Sequence, residues 1–312
     1  MIYFYHAGLR RARLHALNSI TNVTSERLFT IDVNAGAMDS NSVREALEKM
    51  GMRPSKGLGQ HFLVDGRVAD RHVSVAGVGP EHVVLEIGPG LGVLTERLVP
   101  VAKKVIAVET DGRMAARLAE RFGSASNFEL IKADALEIEL PKFDLCVSNL
   151  PYQISSPITF KLLESSFERA ALMYQMEFAE RMVAKPGTED YSRLSVGAQH
   201  RAACKIEFKV PRSAFWPQPR VDSAVVTISP RPPAYEVADE QMFHEVVKVL
   251  FSHRRKKIRT TLADNAPSIG MEREGVLKAI ENTRFGDERV ERLAPAEIAE
   301  LANLLHARSR SQ

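Results

Sequence analysis

The chain has 312 residues, 45% hydrophobic and 26% charged, and none of its apolar runs approaches a membrane span; this excludes a membrane-spanning helical protein and leaves room for two domains with their own cores. Lys plus Arg exceeds Asp plus Glu by only 42 to 39, so the distribution of charge must say more about partners than its sum. Cys146 and Cys204 lack any CxxC or Cys/His spacing, which argues against a zinc site or a disulfide framework and leaves two buried thiols in a reducing compartment, with no metal expected.

Residues 1–37 carry Arg10, Arg11 and Arg13, no acid before Glu26 and no long apolar segment, so a secretory signal is not expected. An organellar transit segment, a disordered tail and a start codon placed too far upstream all fit; 1–37 is treated as an extension expected to be disordered, with Met38 an alternative start. Helical periodicity begins at Val43, Leu47 and Met50, and the Pro/Gly-bearing stretch Arg53 to Leu63 interrupts it. Strand-like runs then follow at His82–Ile87, Val105–Val108, Phe128–Ile131, Phe143–Ser148, Ala170–Tyr174 and Ala224–Ile228, with helical stretches at Thr95–Val99, Arg113–Phe122 and Ser156–Ser165 between several of them. This alternation predicts an α/β protein with a doubly wound, Rossmann-like sheet over residues 38–233. The cluster Pro230-Arg-Pro-Pro233 ends the pattern, and 234–312 reads as a small all-α domain with an apolar face of Val246, Val247 and Leu250.

The first long strand ends in Glu86-Ile-Gly-Pro-Gly-Leu-Gly92. Glycines at a strand-to-helix turn let a ligand approach the backbone. The dinucleotide fingerprint wants a glycine at its sixth position, where this chain has Val93, so a pyrophosphate site is disfavoured. Glycines at 88, 90 and 92 after an acid suit a ligand with an amino-acid and an adenosine end but no phosphates, which describes S-adenosylmethionine; tight packing of the turn is the bland alternative. Glu109 ends the next strand, placed to hold ribose hydroxyls or to be a solvated acid. Asp134 follows the third strand and could accept from the donor's adenine amine or cap a helix.

Asn149-Leu-Pro-Tyr152 follows the fourth strand. The amino nitrogen of adenine is a poor nucleophile because its lone pair is delocalised, so a catalyst must position it. The Asn149 carbonyl could accept one N–H and a backbone carbonyl at Leu150 or Pro151 the other. Tyr152 offers a face for the ring. An ordinary Asn-Pro turn is the competing reading. Phe215, beside Trp216 in a proline-stiffened loop, could stack the other side of a flipped base or cap the core; Trp216 is assigned to the core. Arg254, Arg255, Lys256, Lys257 and Arg259 fall within six positions of a region that holds thirteen basic and thirteen acidic residues, a concentration suited to phosphates or, equally, to a solvated helix face.

Gly59-Gln-His-Phe-Leu63, Glu86-Ile-Gly-Pro-Gly90, Val105-Ile-Ala-Val-Glu109, Asn149-Leu-Pro-Tyr152 and Pro217-Gln-Pro-Arg-Val-Asp-Ser-Ala224 occur in this order, and together they resemble the ribosomal RNA adenine dimethyltransferase family, the kasugamycin-resistance type. Leu172 to Lys185 and Tyr191 to Val196 most resemble archaeal members. The resemblance implies S-adenosylmethionine as methyl donor and dimethylation of two adjacent adenosines near the 3′ end of small-subunit rRNA, by a cytoplasmic monomer that acts on a pre-ribosomal particle without membrane contact. It implies donor contacts at His61, Leu63, Gly88, Gly90, Glu109, Asp134 and Asn149, and a target clamp of Asn149, Leu150, Pro151, Tyr152 and Phe215. His61 departs from the Asn of many bacterial relatives. Two rivals remain at this stage: an erythromycin-resistance type enzyme acting on large-subunit rRNA, and a noncatalytic RNA-binding or transcription factor on the same fold.

Overall fold

Successive residues of the central strands bury on opposite faces. Val84, Leu145, Ala171 and Val225 face one apolar layer, and Leu85, Cys146, Leu172 and Val226 the other. A sheet buried on both sides needs helices on both sides. The computed structural model describes residues 39–54 and 60–310, all within one compact unit, Met38–Gln312; the extension at 1–37 and Gly59 lie outside the described residues.

The elements run α1 (Ser40–Lys49), β1 (Phe62–Leu63), α2 (Gly66–Ala76), β2 (Val83–Ile87), α3 (Thr95–Leu98), β3 (Lys104–Glu109), α4 (Gly112–Phe122), β4 (Phe128–Lys132), β5 (Leu145–Asn149), α5 (Ser155–Leu163), β6 (Arg169–Gln175), α6 (Met176–Val183), α7 (Arg193–Arg201), β7 (Ala202–Val210), β8 (Phe215–Trp216) and β9 (Ser223–Pro230). The seven-stranded sheet has the order β4-β3-β2-β5-β6-β9-β7. Its first five strands are parallel, and β9 runs antiparallel to both β6 and β7. Ala69, Leu98 and Leu118 of α2, α3 and α4 fill one layer; Ile158, Met182 and Leu194 of α5, α6 and α7 fill the other. The helices start on side-chain caps where the sequence offers them: Asp111 accepts from the backbone N–H of Arg113 at 2.8 Å and of Met114 at 3.3 Å.

Six of the seven sheet strands coincide with the runs expected from sequence, within two residues at each end. The strand β7 is absent from that reading. It is the sheet's edge, and its outward positions carry Lys205, Glu207 and Lys209. Charge protects an edge from pairing with another chain and dilutes the hydrophobic signal of a strand. The pair β1 and β8, two residues each, is likewise too short for periodicity to show.

After Pro230 the described residues form α8 (Glu240–Ser252), α9 (Ile258–Asp264), α10 (Arg273–Ile280) and α11 (Pro295–Ser309). Val246, Val247 and Leu250 are buried, and their core also contains Tyr191 and Val196 from the sheet-bearing part. The Tyr191 hydroxyl donates to the carbonyl of Leu293 at 2.7 Å. No helix among the described residues is long and apolar enough to cross a membrane.

Candidate active site

Open α/β sheets bind ligands beyond the carboxyl ends of their strands, where the order reverses. Here that point lies between β2 and β5, and β2, β3 and β5 end in Ile87, Glu109 and Asn149. A cavity of about 560 Å³ opens there. Ten of the expected site residues line it: His61, Leu63, Gly88, Gly90, Glu109, Asp134, Asn149, Leu150, Pro151 and Tyr152.

On the donor side, Gly88, Gly90 and Gly92 have φ of 65, 58 and 83°, a region that side chains other than glycine's rarely adopt. A Cβ on Gly90 would meet the ring of Phe62 at 3.6 Å, and one on Gly92 would strike Phe122 at 2.7 Å. Glu109 Oε2 accepts from the backbone N–H of Gly90 at 3.0 Å, and Oε1 from that of Asp111 at 2.9 Å. Both oxygens are thereby aimed, and each keeps a lone pair for a further donor. Burial raises the carboxyl pKa of Glu109, opposed by these two amides. Glu86, 1% exposed, accepts from the Thr95 hydroxyl at 2.7 Å, and burial pushes its carboxyl up to about 8. It holds the turn from beneath as a largely neutral acid. Asp134 is exposed, accepts from Leu136 N–H at 2.8 Å and caps a turn rather than a helix; it still lines the cavity.

On the target side, the Asn149 Nδ2 lies 3.5 Å from the carbonyl oxygen of His61. A carbonyl can only accept, so this contact sets the amide's orientation and turns Oδ1 the other way. The Leu150 side chain is 2% exposed and belongs to the core, which leaves its backbone to act. The Pro151 carbonyl already accepts from Ile154 N–H at 3.1 Å, and among the described residues the carbonyl of Leu150 takes no such turn hydrogen bond. Tyr152 opens a single 3₁₀ turn, its hydroxyl 2.7 Å from Ser223 Oγ. Its ring lies 5.7 Å from that of His61, tilted by 34°. His61 Nδ1 is 2.7 Å from the Pro217 carbonyl, so Nδ1 carries the proton and Nε2 is the other, open nitrogen.

Phe215 does not join this group. It is 1% exposed, pairs with Leu63 in the two-stranded sheet and packs in the layer beneath. Strand alternation turns Phe215 inward, while Trp216, half-buried, packs against the small core that includes Val43 and Leu47 of α1, with Arg44 over its ring at 5.5 Å. The stacking face assigned to Phe215 is therefore absent from the cavity wall, and His61 is the ring nearest Tyr152.

The basic run also differs from the helical face considered for it. Arg254 to Lys257 form the turn between α8 and α9 and Arg259 lies in the first turn of α9, while Lys257 makes a lone bridge with Arg289. Arg254 donates to the carbonyls of Glu189 and Tyr191, and Lys257 pairs with Asp287 at 3.0 Å. Arg259 stacks its guanidinium against Gly286, whose Cβ would lie 3.0 Å from Nη2. Arg255 and Lys256 are exposed and have no ion pair among the described residues. Sequence reasoning missed Thr110, Asp111 and Met114 on the cavity wall and Ser223 behind Tyr152; only the helix-start pattern at Asp111 hinted at any of them.

The donor set tests the ligand directly. Among the described residues the cavity lining contains Glu109, Asp111 and Asp134, besides the largely neutral Glu86, but no Lys or Arg. Such a wall suits a sulfonium cation with ribose hydroxyls and repels a pyrophosphate. A Rossmann-like sheet with a glycine cradle and a strand-end acid, without phosphate-binding cations, is the fold and site of an S-adenosylmethionine-dependent methyltransferase.

The comparisons with known proteins narrow the class. Residues 52–306 match the family Ribosomal RNA adenine dimethylase, and the chain belongs to that family of S-adenosylmethionine-dependent rRNA adenine dimethyltransferases. It is 45% identical over 253 residues to the "Probable ribosomal RNA small subunit methyltransferase A" of Thermococcus gammatolerans, an alignment covering 81% of this chain and 90% of the relative. A dimethyladenosine transferase from Plasmodium falciparum superposes with a TM-score of 0.70 at 29% identity, covering 80% of this chain and 98% of that one. The 23S rRNA methyltransferase ErmE gives 0.60 at 31%, covering 78% and 99%.

Proposed function

We propose that this enzyme dimethylates the N6 amines of two adjacent adenosines near the 3′ end of small-subunit rRNA, within a pre-ribosomal particle in the cytoplasm, and that it works as a monomer. Residues 38–233 carry the chemistry and 234–312 help hold the RNA. The observation that carries the reading is the Asn149 carboxamide at the end of β5, its Nδ2 turned to His61 and its Oδ1, among the described residues, without a hydrogen-bond partner, beside a Leu150 carbonyl that takes no turn hydrogen bond among them. The preference for the small subunit rests on the 45% identity to a small-subunit methyltransferase against 31% to a 23S enzyme.

S-adenosylmethionine, when bound, supplies an electrophilic methyl group. Gly88, Gly90, Leu63 and the Glu109 carboxylate hold and orient that donor. Asn149 Oδ1 and the Leu150 carbonyl accept the two N–H bonds of the target amine, which favours a tetrahedral nitrogen with its lone pair aimed across the cavity. Pro151 fixes the turn that presents them. Tyr152, anchored at its hydroxyl by Ser223, provides the face on which the flipped ring rests. Positioning of this kind needs no strong base.

The test supplies purified protein with labelled S-adenosylmethionine and small subunits lacking the modification. Mass spectrometry should find dimethyladenosine in the 3′-terminal rRNA fragment. Label confined to large subunits overturns the assignment.

A further inference from the structure

The loop between β8 and β9 does no work in the mechanism above, yet it is held at many points. His61 Nδ1 donates to the Pro217 carbonyl, and Ser223 Oγ meets the Tyr152 hydroxyl, each at 2.7 Å. Both ends of the loop are thus tied to the two rings of the target side. Asp222 secures it a third way: Oδ1 accepts from Arg212 N–H at 2.9 Å, Oδ2 pairs with Lys209 at 2.8 Å, and its carbonyl accepts from Met176 N–H at 3.0 Å.

Topology places this loop at the mouth of the site. Ser223 pairs with Gln175, the last residue of β6, and with Val210, the last of β7. The loop 217–222 and the 3₁₀ turn Arg212–Ala214 therefore leave the sheet at the same carboxyl edge as Asn149. What they present is unusual for a fixed surface. Arg212 and Arg220 are exposed and neither has an ion pair among the described residues. Val221 is 45% exposed, the most exposed of only three large hydrophobic residues that stand out in this way among the described residues. An ordered ridge that carries two exposed guanidinium groups and an exposed apolar side chain is the arrangement that single-stranded nucleic acid accepts: phosphates on the cations, a sugar or base face on the apolar side chain.

We propose that Arg212, Val221 and Arg220 form a strand-guiding rim that grips the nucleotides flanking the flipped adenosine. This deepens the proposed function and rests on it for the identity of the flipped base. The ties through His61 and Tyr152 couple the rim to the clamp, so a strand seated on the ridge is delivered in register to Asn149. Arg255 and Lys256, in the turn between α8 and α9, make a second and separate set of phosphate contacts.

The experiment measures binding of a fluorescent twelve-nucleotide oligoadenylate, r(A)12, to the full chain between 50 and 300 mM KCl. Single strands lose about 0.7 from the slope of log K against log salt for each phosphate contact removed. The double variant R212A/R220A should lower the slope by about 1.4 and raise the KM for RNA far more than it lowers kcat. V221A should weaken binding several-fold at every salt concentration without altering the slope. K103A, which removes an exposed lysine from the loop before β3, serves as the comparison for simple loss of charge. A slope unchanged in R212A/R220A, or changed no more than in K103A, overturns the rim. Circular dichroism and S-adenosylmethionine binding report whether each variant is folded. N149A in the same assay keeps its RNA slope and loses methyl transfer. Failure of that separation counts against the clamp, and failure of the slope change counts against the rim.

Discussion

Gly88 and Pro151 are in near contact: a Cβ on the glycine would stand 3.3 Å from the proline Cδ. The donor turn and the target turn meet where a side chain would crowd the proline ring. Gly88→Ala combines that crowding with a φ of 65°, a conformation costing an ordinary residue about 1–2 kcal/mol. We expect the melting temperature to fall by a few degrees, with weaker S-adenosylmethionine binding and lower turnover. Calorimetry and a methylation assay check this, and wild-type turnover in Gly88→Ala would show that the two turns move independently.

Asn149→Ala removes one of two acceptors for the amine while Cys146 and Val147 of the same strand stay buried. Turnover should drop by about 10²-fold or more, the scale seen when one preorganised polar group is deleted from an active site, with an unchanged melting temperature. Activity within threefold of wild type would remove Asn149 from the clamp.

Phe215→Ala distinguishes a core residue from a stacking residue. A large cavity in a packed layer costs about 3–5 kcal/mol, and the unfolding midpoint in urea should fall accordingly. A fully stable variant with poor RNA turnover would return Phe215 to the site wall.

Glu86 gives a pH signature. Its folded pKa, about 8, exceeds the ordinary 4.5 because burial disfavours the charge, so between those values the folded state binds a proton that the unfolded state has released. Its contribution to stability is present at low pH and is lost as pH rises from 4.5 toward 8, with a slope of at most about 1.4 kcal/mol per pH unit for one proton. Glu109 is shifted the same way and adds the same sign. Denaturation of Glu86→Gln from pH 5 to pH 8 should show a weaker decline than wild type; parallel curves would mean that Glu86 is charged in the folded protein.

The basic run divides by role. Arg254→Ala should destabilise the fold, because the guanidinium satisfies the carbonyls of Glu189 and Tyr191. Arg255→Ala with Lys256→Ala should leave stability alone and lower the salt dependence of RNA binding. The opposite pattern would show that the open cations are a solvated surface.

Where the side chain itself announced the chemistry, the sequence was readable. Gly88, Glu109 and Asn149 stand at strand ends that buried apolar runs make visible, and Val93 in place of the sixth glycine points away from a dinucleotide on sequence alone. The stacking role expected of Phe215 failed because two adjacent aromatics carry no record of which one a two-residue strand turns inward. That depends on pairing with Leu63, far away in sequence. Arg254 was unreadable for a related reason: a run of five cations looks uniform until backbone carbonyls from another element single one out. The edge strand β7 was hidden by the charges that protect it.

The hydrogen bond between His61 and Pro217 joins positions 156 apart, and among the described residues β1 pairs with β8 alone. A growing chain that has reached Val210 already holds every glycine and carboxylate of the donor turn and has Asn149 and Tyr152 to set beside His61, but lacks the Pro217 carbonyl and the strand β8 that complete the fastening of that segment. The full set of ties on this segment is therefore complete only when Phe215 to Pro217 have emerged. A chain released early has every described residue that lines the methyl-donor cavity but not the strand that pins the segment carrying His61.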